Sequence, residues 1–322
     1  MFQRSITRRA RAHKLIPLAL LLSTGAFLGI STNLAKLAAD AGLTPLSFLT
    51  WSVLGAAIVL GSVQLMRSDL PRLNQRSLEY FLVAGFITTA TPQLLFFAAV
   101  PRVGASFVAL AITFPPLFTY LGALLLGMEG FEARRAAGVL LALMGAGVLA
   151  IYKLSAPDAN AFWITATLIG PLILAAGNLY RTARWPENAT APQLAPGMLA
   201  AGAVFLFSAA ALAALFPNAS ADFSLAVPTN SLTPILLIFV QIVVFAAQNL
   251  LFFMLQERGG PVYLSLIGSV GAVVGVPIAV LLGEAWPQGL LLGGLLVAAG
   301  IGFLTFGNAK VSNASVKGAE TN

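Results

Sequence analysis

The sequence predicts an all-α membrane protein with ten transmembrane helices arranged as two inverted five-helix repeats. Three observations predict it. The chain of 322 residues is 58% hydrophobic and only 9% charged. An ordinary soluble domain carries about 25% charged residues, so this chain has too few to cover a water-facing surface. Ten apolar segments approach the roughly 20 residues that a helix needs to cross the hydrocarbon core. The last five of these segments repeat the first five.

Polar punctuation sets the segments in order. A basic tail, residues 1–14, ends at Lys14 and precedes the first span, 15–38, which is long for a cleaved leader and has no small-residue cleavage site before Asn33. The second span, 43–66, is entered through Leu43-Thr44-Pro45 and stops before Arg67. Spans three and four, 78–98 and 103–126, flank Arg102. The fifth, 131–152, carries Arg134 and Arg135 at its start and ends before Lys153. The sixth, 160–181, ends on Arg181. The seventh, 193–216, is entered through Leu194-Ala195-Pro196 and is followed by the longest connection, 217–231, rich in Pro, Asn, Ser and Asp. Spans 232–255, 260–282 and 287–308 complete the set, and the small, polar tail 309–322 is expected to be disordered.

Lys and Arg test the count, because their bias in short loops sets orientation. With the N-terminus inside, only Lys36, Arg102 and Lys153 fall on the outer side. A miscounted span would scramble this pattern from that point onward. Both termini are therefore expected in the cytoplasm and the protein in the inner (plasma) membrane. The net charge of +7 follows from topology and gives no reason to expect nucleic acid.

A constant offset carries Glu129 onto Glu284, Gly138 onto Gly293, Gly145 onto Gly300, Gln93 onto Gln248 and Gly104 onto Gly259. A slightly shorter offset carries Asn33 onto Asn178 and Lys36 onto Arg181. Leucine and glycine matches come cheaply in membrane helices, whereas Gln and Glu matches do not. Five is odd, so the second unit (154–308) enters the membrane upside down relative to the first (15–153). Inverted repeats of this kind characterise secondary transporters.

The sequence here resembles the ten-helix EamA-type branch of the drug/metabolite transporter superfamily. The residues that carry the resemblance are Ala98-Val-Pro-Arg-Val-Gly-Ala-Ser106 leading into Phe114-Pro-Pro116, Leu126-Gly-Met-Glu129, Gly259-Gly-Pro-Val-Tyr263 and Leu282-Gly-Glu284. The first unit reads Gly127-Met-Glu129 where the family usually has Leu-Gly-Glu. The resemblance implies ten helices and, as in most members, export of amino acids, other metabolites or toxic compounds, with import or exchange of such solutes as the alternative.

Ionisable groups within a membrane are costly and usually functional. Every carboxylate of this chain falls at a helix end, in a loop or in a tail, which argues against a buried proton relay, a carboxylate metal site and paired catalytic acids. With no cysteine and one histidine, His13 in the basic tail, thiolate and imidazole chemistry is also excluded. No cofactor, metal or nucleotide is expected, and no P-loop lysine motif is present. A membrane enzyme acting on a lipid-linked substrate is disfavoured by the same residues, and a scaffold or receptor by the short loops. The partners expected are a small-molecule substrate and the bilayer; the sequence sets no oligomeric state, and a monomer is compatible with it.

The candidate substrate-binding residues are Asn33, Gln93, Thr113, Phe114, Asn178, Gln248, Tyr263 and Ser269. Amides in hydrocarbon must find partners, so each either joins helices or faces a solvated cavity. Pro115 and Pro116, with Gly268 and Gly271 in the second unit, are candidate hinges or cavity walls. Prolines there free the carbonyls around Ala111 and Ile112, which lipid tolerates only against protein or water. Glu129 and Glu284 are the symmetric acids, expected to be structural and, should protons drive transport, the first coupling candidates. Lys36 and Arg181 are expected to reach towards opposite interfaces.

Overall fold

The computed structural model describes residues 2–68, 73–125, 130–155, 160–187, 189–215, 223–286 and 289–306. Glu129 and the 309–322 tail lie outside them, as does the Tyr263 side chain. The secondary structure among the described residues is helical. In chain order it comprises α1 (Phe2–Asp40), α2 (Pro45–Met66), α3 (Gln75–Ala84), a π-helical turn (Gly85–Ala90), α4 (Thr91–Val103), α5 (Ala105–Ala111), α6 (Pro115–Leu125), α7 (Ala133–Leu154), α8 (Ala161–Ala183), α9 (Ala191–Ala214), α10 (Thr233–Ser265), α11 (Ile267–Leu281) and α12 (Leu290–Phe306). Among the described residues, eight helical runs are long and apolar enough to cross a bilayer, and Ile267–Leu281 and Leu290–Gly300 are shorter apolar helices. The chain is a multi-pass helical membrane protein.

Local chemistry fixes the helix starts. Thr44 accepts the Ser47 N–H at 3.0 Å ahead of Pro45, which fills the first position of α2, where a missing N–H costs nothing. Asn74 and Ser77 form a reciprocal capping box at α3, as Thr190 and Gln193 do at α9. Asn160 caps α8 through the Trp163 N–H.

Four boundaries differ from the sequence reading. The third span continues helically to Val103, and the break falls at Gly104, whose φ is +89°. The seventh begins at Ala191, so Pro196 lies inside α9 and Pro192 fills the entrance. A proline at 196 leaves the Pro192 carbonyl without its helical donor, and Gln64 of α2 donates to it instead at 3.0 Å. Gly259-Gly260-Pro261 does not end a helix: α10 runs through it to Ser265 and the chain turns at Leu266. The basic tail is helical from Phe2, continuous with the first span.

Small residues let the helices close on one another. A Cβ on Gly145 of α7 would stand 2.6 Å from the Gly293 carbonyl of α12, and one on Gly300 would stand 2.5 Å from the Gly138 carbonyl. Gly29 of α1 meets Gly271 and Gly275 of α11 in the same way. Backbone-to-backbone approach through glycine is how membrane helices gain packing without a hydrophobic driving force. Around the α2–α9 contact lies the main core, with Phe48, Leu49, Leu194, Leu199 and Phe245 fully buried. The described part of the long connection is strapped to α2. Its Ser224, Leu225 and Ala226 carbonyls accept from Thr44 Oγ1, Trp51 Nε1 and Ser47 Oγ at 2.6, 3.2 and 3.1 Å.

Candidate functional site

The break between α5 and α6 shapes one wall of a central cavity. Pro115 and Pro116 cannot donate, so the chain tightens instead. The Thr113 and Phe114 N–H groups bond Leu110 and Ala111 carbonyls at 3.0 and 3.1 Å, and the Thr113 hydroxyl adds a bond to Leu110 at 2.7 Å. Ile112 then presents its carbonyl towards α11, where a Cβ on Gly268 would lie only 2.0 Å from that oxygen. Any side chain at 268 would push the break away, so this glycine has a steric cause.

The cavity, about 90 Å³, is bounded by Thr88 of the π-turn, Gln93 and Phe96 of α4, Pro115 and Pro116 of α6 and Gly268 of α11. Its polar lining continues through Asn178 and Arg181 of α8 and Gln248 and Asn249 of α10, beside Phe252. A water needs roughly 10–15 Å³ of such space, so the cavity holds several waters or a small solute. An adjoining pocket of about 300 Å³ is lined by Thr182, Trp185, Gln256 and Glu257 and shares Leu264 with the cavity.

Of the sequence candidates, Gln93, Asn178, Gln248, Pro115, Pro116 and Gly268 meet at this cavity. The other described candidates are not among its lining residues. Asn33 is buried between helices and donates to Gly29 and Gly275 carbonyls, both at 2.9 Å. Thr113 and Phe114 are buried in the break itself. Gly271 packs against Leu28 and the Gly25 carbonyl. Ser269 has a buried hydroxyl without a partner. Asn33 and Asn178, matched by offset in the sequence, thus have different surroundings, whereas Gln93 and Gln248 share one cavity. Gln241 joins α10 to α1 by donating to Ser31 Oγ at 2.6 Å.

Glu284 lies beyond the other end of α11 from Gly268, about 22 Å away along a 15-residue helix. Its carboxylate receives the Ala105 and Ser106 N–H groups at 2.7 and 3.0 Å and the Ser106 hydroxyl at 2.6 Å. Lys36 approaches to 4.0 Å and donates to the Leu282 carbonyl at 3.0 Å. This cluster ties α1, α5 and the end of α11 together.

Two features were missed in the sequence. Arg181 does not reach for the interface but is buried, 3% exposed, in the cavity wall. Its guanidinium carbon stands 4.3 and 4.9 Å from the ring centroids of Phe252 and Phe253. One of its NH₂ groups donates to Gln256 Oε1. Nothing in its own segment distinguishes it from a snorkelling arginine, because its surroundings come from α9 and α10. The π-turn was also invisible, although such turns gather at functional sites. The paired Thr88 and Thr89, with Gly85 pressed on the Met198 carbonyl of α9, are its only local trace.

Among curated proteins no match is found. A solved structure, described only as a crystal structure of a protein, is 16% identical with a TM-score of 0.59, covering 94% of this chain and 99% of the other. At that identity the likeness speaks for the fold alone. Residues 15–151 match the EamA-like transporter family. That segment is similar to the EamA-like transporter family, which is part of the drug/metabolite transporter superfamily.

Proposed function

We propose that this protein is a secondary transporter that exports a small organic metabolite, an amino acid or an amphipathic toxic compound, by alternating access across the inner membrane. The observation that carries this reading is the cavity itself. Amides from both units, Gln93 and Asn178 with Gln248, converge there beside Arg181, and the Glu284 cluster ties helices together beyond the far end of α11. Energy comes from an ion gradient or from the solute's own gradient.

Residues 15–153 and 154–308 are read as two inverted halves. The helix pairings support this: α1 packs on α11 and α10, while α8 packs on α6 and α4, and α2 with α9 and α7 with α12 pair across the halves. The glycine contacts follow the same exchange. Gly138 and Gly293 are repeat mates, as are Gly145 and Gly300, and each touches the mate of the other. Two opposed halves can present one site to either side. With both termini cytoplasmic, the pocket beside Thr182, Trp185 and Glu257 opens inward, so the arrangement is inward-facing.

Counterflow into proteoliposomes preloaded with single solutes, amino acids and amphipathic cations among them, tests this reading. Accumulation of at least one labelled solute is expected. No movement of any solute by folded protein would sink it.

A further inference from the structure

We propose that Arg181 is the charge-selecting residue of the cavity, recognising a carboxylate on the transported solute; this rests on the transporter reading above. The surroundings of the guanidinium support this. Its polar and ring partners are the Gln256 side-chain oxygen, the Met198 sulfur at 3.9 Å and the faces of Phe252 and Phe253. Its Nε–H is buried with no partner. No carboxylate forms an ion pair with it among the described residues. A buried charge left without an opposite charge costs several kcal/mol, and an intramembrane ion is by default functional, its partner to be named. Here the described residues supply none.

The cavity lining makes the choice of partner. Thr88, Gln93, Asn178, Gln248 and Asn249 are neutral, and Arg181 is the one ionisable side chain among the lining residues. A single delocalised cation with a forked donor array matches the planar, two-oxygen geometry of a carboxylate. One positive charge suits a monoanion better than a phosphate dianion. The same charge repels amphipathic cations, so the site discriminates in both directions. The aromatic faces of Phe96 and Phe252 in the same lining receive the apolar part of the solute.

The test measures binding to the purified full-length protein by thermal shift, with three near-isosteric probes: phenylacetate, phenylacetamide and phenethylammonium. Phenylacetate should bind at least about tenfold more tightly than either of the others, as a charge-assisted bidentate pair requires. Arg181→Gln should erase that ranking, and Arg181→Lys should keep its order while narrowing it, because lysine retains the charge without the fork. If Arg181→Gln does not fold, the wild-type ranking and the narrowing in Arg181→Lys carry the test. Equal binding of the three probes, tighter binding of the cation, no binding of the carboxylate, or an unchanged ranking in Arg181→Gln would each overturn the proposal. Flux of the same probes in proteoliposomes separates the two readings. Transport of the amide or the cation without the carboxylate defeats carboxylate selection yet leaves a transporter.

Discussion

Glu284 accepts the Ser106 hydroxyl at 2.6 Å while its two oxygens also take the Ala105 and Ser106 backbone N–H groups. The carboxylate thereby satisfies donors that the first turn of α5 leaves free. Bonds to a charged group contribute roughly 1.5–3 kcal/mol. A double-mutant cycle with Glu284→Ala and Ser106→Ala should give a coupling of about 1–3 kcal/mol in thermal unfolding in detergent. Additive losses would mean that the contact does not hold these helices together.

Gly104 makes the approach of Glu284 possible. Its φ of +89° and ψ of 149° fall where side chains are strained by about 1–3 kcal/mol. A Cβ there would also lie 3.2 Å from Glu284 Oε2. Gly104→Ala and Gly104→Asn should both lower the melting temperature, asparagine gaining nothing from its tolerance of the ordinary left-handed region. Wild-type stability in either variant would contradict this.

The glycine seam between α7 and α12 predicts a position-specific pattern. Gly145→Leu and Gly300→Leu should abolish monodisperse folded protein, since each side chain must displace a facing carbonyl. Gly147→Leu and Gly302→Leu should be tolerated, because nothing stands within 4 Å of a Cβ at either position. Size-exclusion profiles of the four variants decide it.

The amides divide by role. Asn33→Ala removes bonds to Gly29 and Gly275 and should cost about 1 kcal/mol of stability. Gln93→Ala and Gln248→Ala should leave folded yield intact and lower transport severalfold. Equal loss of folded protein in all three would return the cavity amides to a packing role.

The readable part of this protein was what depends on local chemistry: apolar length, the Pro115-Pro116 break and the entry to α2 at Thr44-Pro45. The Gln93 and Gln248 pair was legible because glutamine matches between membrane helices are rare. What could not be read depends on neighbours distant in sequence. Pro196 looked like a helix entrance because its compensating donor, Gln64, is supplied by α2. Asn33 and Asn178 looked equivalent because they match at a fixed offset, while the Gly275 carbonyl on α11 takes up Asn33 and Asn178 lines the cavity. Arg181 looked like an interfacial cation until α9 and α10 closed around it.

Absence of cysteine from the chain permits a direct test of the claim that solute passes through the central cavity. Counterflow is measured through Asn178→Cys protein before and after modification with a bulky thiol reagent, with wild type as control. Modification should abolish flux in the variant, leave wild type unchanged, and be slowed by excess transported solute. Full modification with undiminished flux would contradict the account.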